Sequence, residues 1–377
     1  MQPMPVIPIS NRAFYRPELD VLRFGAFLLV FLCHISPSQS SAIHSQGLRA
    51  LLKAFAGGAY GVDLFFCLSS YLITTLLFKE FNQSAMIDVR SFYIRRILRI
   101  WPLYFTFLLC IVPIIGSVVP SERMPVRYLV PFIALAGNWA CAAWGFPISG
   151  ASILWSVSIE EQFYLSWPLV MKRYLPKLGV ICASLICVSI LCRFLLVYLG
   201  ANRDAIFCNT LARLDPIAAG ALIALAFKGR VPRMTPTRRI VTILIGLALI
   251  AICGIFGSGD GPRAILTYPI VTVSAVLLLL GMLGANLSSL PRFLMQPLVY
   301  LGRISYGLYV FHGVTIGLVS AGMTHYVRIE QHSLQSFVLR ISLSMLLTIG
   351  AATLSYRFLE HPFLLLKAKR EHIATGH

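Results

Sequence analysis

The chain has 377 residues, of which 58% are hydrophobic and 12% charged, and its formal net charge is +18. A soluble globular domain carries about 25% charged residues, so this composition excludes an ordinary soluble domain and indicates an integral membrane protein. In a membrane protein the excess of Lys and Arg is explained by orientation, because cytoplasmic loops collect these residues. We therefore expect a lipid bilayer as partner, and no nucleic acid.

Ten apolar stretches are long enough to span, so the predicted fold class is an all-α integral membrane protein with about ten transmembrane helices. They lie near residues 18–36, 59–79, 101–120, 153–171, 178–200, 207–227, 239–257, 264–284, 299–321 and 336–360. The apolar stretch 128–148 is interrupted by proline, glycine and asparagine, so we expect one re-entrant or interfacial segment there. Residues 1–366 are predicted to form a single polytopic domain, followed by a short polar tail at 367–377.

The distribution of positive charge predicts the orientation. Ten spans place both termini on one side. If that side is cytoplasmic, its segments hold 19 of the 32 Lys and Arg residues, and the outer loops hold seven. This asymmetry predicts cytoplasmic termini in a multi-pass protein of the cell inner (plasma) membrane.

The first predicted span, within "VLRFGAFLLVFLCHISP", has a polar stripe. Arg16, Asp20, Arg23 and His34 fall within about 60° of one another on a helix, with Arg23 and His34 about 16 Å apart along the axis. Intramembrane charge is costly and usually faces a bundle interior or a wet cavity. Arg16 and Asp20 could instead be an interfacial pair, and His34 could be a structural histidine bonded to a backbone carbonyl. Imidazole is also the natural proton carrier near neutral pH.

Further polar residues lie at the start of the second predicted span and just before the third. "GVDLFFCLSSYLITTLL" places Asp63 in an apolar setting, and "FYIRRILRIWPLYF" presents Arg95, Arg96 and Arg99 together. Planar guanidinium groups suit phosphates, although positive-inside charge explains the same arginines without a ligand.

Later spans add carboxylates and histidine. "LWSVSIEEQFYLSWPL" carries the adjacent Glu160 and Glu161, which lipid anchoring does not explain. "RLDPIAAGALIAL" carries Arg213 and Asp215, for which an internal salt bridge is the favoured interpretation. "YLGRISYGLYVFHGV" carries His312 in the outer half of its span. Arginines thus cluster on the predicted inner side and the histidines and carboxylates toward the other.

Nine cysteines show no metal-ligand spacing, so no metal is expected. We interpret them as packing residues, and one disulfide between Cys141 and Cys208 stays open. Trp139, Trp144 and Trp155 are expected near the outer side, where interfacial anchoring is favoured over stacking on a sugar.

In order along the chain, these motifs resemble the membrane-bound acyltransferase-3 family of bacterial surface-glycan O-acetyltransferases. The resemblance rests on "RPELDVLRFGAFLLVFLCHI", "GVDLFFCLSSYLI", "RRILRIWP", "LWSVSIEEQFYLSWPL", "LGRISYGLYVFH" and "SYRFLEHPF", and it covers roughly residues 14–364. Ser70 stands where the family usually has glycine. Some members add a C-terminal SGNH esterase-like domain, which we do not expect here.

The resemblance implies acyl transfer from cytoplasmic acyl-CoA, most often acetyl-CoA, to a hydroxyl of a carbohydrate acceptor at or beyond the membrane. It implies His34 as the catalytic residue, and donor binding by Arg23, Arg95, Arg96 and Arg99. A carboxylate is expected to orient His34, with Asp63 and Glu160 ranked above Glu161. Transient acylation of His34 is an open alternative to general-base catalysis.

The competing function is a transporter, since polar residues in a ten-helix bundle with a basic inner face also suit passage of an anionic substrate. Neither the acceptor sugar nor the oligomeric state can be predicted from the sequence.

Overall fold

The computed structural model describes residues 15–36, 52–256, 261–287, 291–327 and 334–368. These ranges consist of helices joined by short turns and loops and contain no strand, which confirms the all-α class. The α-helices are α1 (Pro17–Ile35), α2 (Gly61–Ser84), α3 (Val89–Thr106), α4 (Val112–Val118), α5 (Val126–Ile133), α6 (Gly137–Trp144), α7 (Trp155–Tyr174), α8 (Leu178–Tyr198), α9 (Arg203–Phe207), α10 (Leu214–Phe227), α11 (Pro236–Ile255), α12 (Ala264–Met282), α13 (Arg292–Arg303), α14 (Ser305–Gly322), α15 (Leu334–Ser355) and α16 (His361–Ala368).

Short 3₁₀ and π-helical turns connect several of these helices. The π-helical turn Phe107–Ile111 joins α3 to α4, and the π-helical turn Tyr356–Glu360 joins α15 to α16. The 3₁₀ turn Leu175–Lys177 joins α7 to α8. These junctions keep the chain helical while they change its direction or the face it presents.

Seven helical segments of the described chain are long and apolar enough to cross a membrane. They are Leu52–Ser84, Val89–Val118, Gly150–Tyr198, Pro236–Ile255, Gly261–Met282, Ser305–His325 and Gln335–Leu366. The chain therefore has the character of a multi-pass membrane protein.

Three differences separate these seven segments from the ten predicted spans. Gly150–Tyr198 contains both α7 and α8, which were predicted as two spans. The first helix, α1, has 19 residues but carries Glu18, Asp20 and Arg23. The 14 residues of α10 rise only about 21 Å, short of an apolar layer of about 30 Å. The count of ten therefore stays a prediction, as do the cytoplasmic termini.

The segment predicted to be re-entrant or interfacial contains two short helices. Helices α5 and α6 have eight residues each, about 12 Å of rise, so neither crosses an apolar layer. Between them Leu135 has a φ of +55°, which turns the chain sharply.

Helix α2 lies at the centre of the bundle. It packs against α1, α7, α10 and α12, and 72% of its apolar stretch is buried. Only 17% of the apolar stretch is buried in Gly150–Tyr198, where α8 exposes Val180, Leu191 and Phe194. The exposed apolar exterior indicates helices that face lipid, and the polar groups collect around α1 and α2.

Two glycines allow α1 to approach its neighbours closely. A Cβ added at Gly302 would lie 2.0 Å from the carbonyl oxygen of Asp20, near the start of α1. A Cβ added at Gly58 would lie 2.1 Å from the carbonyl oxygen of Leu29, in the second half of α1. Since neither site can accept a side chain without movement of the backbone, α1 packs tightly against its neighbours near its start and in its second half.

Candidate functional site

A cavity of about 200 Å³ opens among α1, α2, α3, α7, α14 and the end of α15. We call it the arginine cavity, because five arginines and three carboxylates line it. These charged residues are Arg16, Asp20, Arg23, Arg96, Arg99, Glu160, Arg303 and Glu360. The excess of guanidinium groups favours an anionic ligand.

The first half of α1 supplies one wall of the arginine cavity. Arg23 Nη1 donates to Asp20 Oδ1 over 2.8 Å, one turn back on the helix. The Arg23 side chain keeps 26% of its surface exposed, so its remaining donors face the cavity. Asp20 thereby orients Arg23 without covering it.

Helix α3 contributes Arg96 and Arg99, which form no ion pair with any other described residue. Arg96 lies between the rings of Phe92 and Tyr164, with its guanidinium carbon 5.5 Å from each ring centroid. Its Nε is buried without a hydrogen-bond partner. Two arginines without carboxylate partners are therefore available to an anion in the arginine cavity.

Arg303 and Tyr15 form another part of the lining. Arg303 donates through Nη2 to the Tyr15 hydroxyl over 2.9 Å, and its guanidinium lies 5.1 Å from the Tyr15 ring centroid. Burial raises the pKa of the Tyr15 hydroxyl above its usual value, although the contact with Arg303 acts in the opposite direction. Tyr15 therefore remains a neutral phenol at physiological pH.

Glu160 is the carboxylate of α7 in the cavity. Its Oε2 accepts from the Tyr164 hydroxyl over 2.8 Å, as expected for two residues on one helical face at i,i+4. Its Oε1 accepts from the Ser69 hydroxyl of α2 over 3.2 Å. Because both oxygens have partners on two helices, the carboxylate has a fixed position beside Arg96.

The π-helical turn at the end of α15 places Tyr356 and Glu360 in the same cavity. Glu360 Oε1 accepts from the Ser355 hydroxyl over 3.2 Å. Neither residue was predicted as a site residue, although both lie in the quoted motif "SYRFLEHPF". Two charged residues and a histidine at the end of the last apolar stretch, Arg357, Glu360 and His361, were the available signal.

Tyr309, Phe65 and Ser156 line the cavity on its side toward the histidines. The Tyr309 hydroxyl lies 2.7 Å from the Ser156 hydroxyl and donates to the carbonyl of Ile153. The rings of Phe65 and Tyr309 meet edge to face, with centroids 5.8 Å apart. Tyr309 thus lines the arginine cavity and also contacts His312, whose ring centroid lies 5.4 Å from that of Tyr309.

His34 lies in the last turn of α1, is exposed, and does not line the arginine cavity. Its Nδ1 lies 2.9 Å from the carbonyl oxygen of Val30 and 3.4 Å from His312 Nε2. The expected carboxylate partner is not found beside His34 in the described ranges. A second histidine, His312 of α14, lies there instead, which corrects the expectation.

Asp63, Glu161 and Arg95 lie outside the arginine cavity. Asp63 pairs with Arg213 over 2.7 Å. Glu161 accepts from the Trp101 indole over 3.0 Å, and Arg95 pairs with Glu80 over 3.2 Å. Of the predicted site residues, the arginine cavity is therefore lined by Arg23, Arg96, Arg99 and Glu160 but not by these three.

Other expectations concern the cysteines, metal ligands and tryptophans. All nine cysteines are free thiols, so the Cys141–Cys208 disulfide is not formed. Among the described residues no group of three or more His, Cys, Asp or Glu side chains could hold a metal ion. Trp155 is buried against Phe207, whereas Trp139 and Trp144 are 41% and 50% exposed.

Comparison with known proteins shows the family. Residues 16–357 match the family model described as an acyltransferase domain. The chain belongs to this acyltransferase family. Arg23, His34 and the arginines of α3 lie inside the matched acyltransferase domain, and the motif "SYRFLEHPF" overlaps its end.

Curated relatives of this acyltransferase carry related names. One is O-acetyltransferase OatA of Staphylococcus aureus strain NCTC 8325 / PS 47, which is 29% identical over 372 residues. The alignment covers 92% of this chain and 57% of that relative. Another is the putative O-acetyltransferase SAS0844 of S. aureus strain MSSA476, 26% identical over 370 residues, with 93% and 57% covered. The chain thus spans slightly more than half the length of these relatives. No solved structure matches it.

Proposed function

We propose that this chain is a membrane O-acyltransferase that transfers an acyl group, acetyl from cytoplasmic acetyl-CoA, to a hydroxyl of an extracytoplasmic carbohydrate. The observation that carries the proposal is a single helix, α1, with Arg23 in the arginine cavity and His34 eleven residues further on. The acyltransferase family and the O-acetyltransferase names of two relatives support the reaction class.

The arginine cavity supports binding of an anionic donor. CoA has phosphates at one end and a thioester at the other, joined by a long flexible arm. Arg96, Arg99 and Arg303 would contact the phosphates, because guanidinium groups bind phosphate oxygens in a planar, bidentate geometry. Arg23, deeper along α1, would contact the donor nearer to its reactive end.

His34 would act as the general base. Its Nε2 takes the proton of the acceptor hydroxyl while the hydroxyl oxygen attacks the thioester carbonyl. The C–S bond breaks, and the CoA sulfur leaves as a thiolate that receives the proton from His34. The products are an O-acyl ester and free CoA thiol, so atoms and charge balance without a metal or redox partner.

The acyl group would pass Tyr309 to reach His34, because the Tyr309 ring lines the arginine cavity and contacts His312, which lies beside His34. The charge distribution of the loops supports a cytoplasmic arginine side and an outer histidine side. A carbohydrate hydroxyl would then reach the exposed His34 from outside. The exposed Trp139 and Trp144 of α6 are candidates for contact with that sugar.

Purified full-length protein in detergent provides the first test. Supplied with acetyl-CoA alone, the wild-type protein should release CoA thiol slowly, with water as acceptor. His34→Ala should lower this rate by about 10²–10⁴-fold, the usual contribution of a general base. His325→Ala is the matched control, since His325 is exposed at the end of α14, away from the arginine cavity. Equal rates in wild type and His34→Ala would refute the role of His34.

Sealed vesicles of known orientation test the direction. Acetyl-CoA supplied only to the cytoplasmic face should acetylate a carbohydrate confined to the other face. Transfer that requires both substrates in one compartment would refute the cross-membrane reaction. Absence of thiol release in detergent, combined with gradient-dependent anion uptake by vesicles, would favour the transporter.

A further inference from the structure

His34 and His312 form a pair of imidazoles at the end of α1. Their ring centroids lie 5.0 Å apart with an interplanar angle of 67°, and His312 Nε2 faces His34 Nδ1 at 3.4 Å. His312 is completely buried, whereas His34 is exposed. The Nδ1 edge of the His34 ring thus meets a buried neighbour, and the His34 side chain is otherwise exposed.

Backbone contacts assign the protons on both rings. His34 Nδ1 lies 2.9 Å from the carbonyl oxygen of Val30, and His312 Nδ1 lies 2.6 Å from that of Tyr309. A carbonyl oxygen only accepts, so each Nδ1 carries a hydrogen. In a neutral imidazole the other nitrogen then has a free lone pair. His312 Nε2 is therefore an acceptor aimed at the Nδ1–H of His34.

The surroundings of His312 favour its neutral form. Its ring meets the Phe27 ring edge on at 5.9 Å and the Tyr309 ring at 5.4 Å. A second proton on His312 would remove the acceptor, and protonation of His34 would then place two positive charges beside each other. His312 thus has the properties of a fixed, neutral hydrogen-bond acceptor.

We propose that His312 is a positioning residue for His34, and that it replaces the carboxylate used in other base–acid pairs. It holds the His34 ring through Nδ1–H, which leaves His34 Nε2 as the free base. When Nε2 takes a proton, Nδ1–H becomes a stronger donor shared by Val30 and His312. This inference rests on the proposed acyl transfer, because it assigns a function to His312 only where His34 acts as base.

Three variants of His312 separate positioning from packing. His312→Gln retains a side-chain oxygen near the place of Nε2, so it can still accept from His34. His312→Asn can still donate to the Tyr309 carbonyl but is too short to reach His34. His312→Leu removes both contacts and reports the cost of packing. Each variant is compared by its thermal unfolding midpoint and its affinity for CoA.

The kinetic readouts are kcat, donor KM and the pH profile of thiol release from acetyl-CoA. His312→Asn should lower kcat by about ten- to a hundredfold, as expected for loss of a hydrogen bond to a charged group, with donor KM unchanged. The acidic limb of its profile should move to lower pH, because the His34 imidazolium is less stabilised. His312→Gln should keep most of the wild-type kcat, and the acidic limb of its pH profile should lie at the wild-type position.

Two results would overturn the inference while the proposed function survives. One is full activity and an unshifted profile in His312→Asn, with His34→Ala inactive. The other is an equal loss in the Gln and Asn variants without any pH shift, which would mean packing alone. Thiol release that is unaffected by His34→Ala would instead refute the role of His34 as base, and absence of thiol release from the wild-type protein would refute the proposed function.

The assignment of protons on His34 and His312 can also be tested on the wild-type protein. Nitrogen-15 NMR of histidine-labelled protein in lipid nanodiscs distinguishes protonated from unprotonated ring nitrogens. The expected result is a protonated Nδ1 and an unprotonated Nε2 on both His34 and His312. A hydrogen on His34 Nε2 in the neutral protein would overturn the assignment.

Discussion

Arg213 donates a hydrogen bond to Asp63 across 2.7 Å, and both side chains are buried. The guanidinium of Arg213 also lies 4.8 Å from the ring centroid of Tyr268. A second buried pair, Arg193 with Asp215, joins its partners over 2.9 Å. Each carboxylate thus neutralises a buried arginine, which gives Asp63 a structural function and leaves no carboxylate free to orient His34 from this cluster.

Substitution of Asp63 should therefore affect folding before chemistry. Asp63→Asn leaves the Arg213 charge buried and unpaired, which costs about 3–5 kcal/mol of stability. The check is the thermal unfolding midpoint of the purified protein, with the double variant Asp63→Asn/Arg213→Gln as control. The double variant should regain part of the loss, because it also removes the unpaired charge. An Asp63→Asn protein of normal stability without activity would instead indicate a catalytic carboxylate.

The arginines of α3 should differ in their effect on the donor. Arg99→Lys keeps the charge but removes the planar fork, so donor KM should rise by about tenfold. Arg95→Gln should leave donor KM unchanged and lower stability, since Arg95 pairs with Glu80 outside the arginine cavity. Arg238→Gln, an exposed position on α11, serves as control for the loss of charge alone.

Equal increases in KM for Arg95→Gln and Arg99→Lys would contradict this division. Unchanged KM in all three variants would leave only the positive-inside explanation for these arginines.

Substitutions of the two adjacent glutamates of α7, Glu160 and Glu161, should have different effects on CoA affinity. Glu160→Gln removes a negative charge from the arginine cavity, so CoA should bind severalfold more tightly at low ionic strength. Glu161 faces Trp101 outside this cavity, and Glu161→Gln should leave CoA affinity unchanged. Isothermal titration with CoA measures both. Weaker binding in Glu160→Gln would mean that this carboxylate holds the donor or its arginines in place.

The contact between α13 and α1 offers a prediction about packing. Gly302→Ala should disrupt the protein, because the new Cβ would lie 2.0 Å from the Asp20 carbonyl oxygen. Gly25→Ala, on α1 itself, is the matched control, since nothing lies within 4 Å of a Cβ there. It should be neutral or raise stability by about 1 kcal/mol. Unfolding midpoints and expression levels of the two variants decide the matter, and equal behaviour would mean that the helices can separate freely.

The sequence predicted the local features of the fold and site better than the distant ones. The stripe from Arg23 to His34 follows from helical period alone, and so does the contact of Glu160 with Tyr164. The pairing of Asp63 with Arg213 joins residues 150 positions apart, and no local pattern specifies it.

Two other features depend on details that composition and period do not show. The i,i+4 spacing of Arg95 and Arg99 predicts that they share one face of α3. In the structure Arg95 pairs with Glu80 of α2, whereas Arg99 lines the arginine cavity. Tyr356 and Glu360 enter the cavity through a π-helical turn, which has no periodic signature in the sequence. Similarly, the neighbour of His34 is determined by how α14 packs on α1.

The close contacts of Gly302 and Gly58 with α1 fix the position of this helix relative to its neighbours. Arg23 and His34 are eleven residues apart on this helix, about 16 Å, and the close contacts at Asp20 and Leu29 keep both residues at a fixed depth relative to the neighbouring helices. A rocking carrier moves its binding site from one side of the membrane to the other. In the reaction proposed above Arg23 and His34 stay in place, so the flexible arm of CoA would have to span about 16 Å, and a thioester on a much shorter arm should not react.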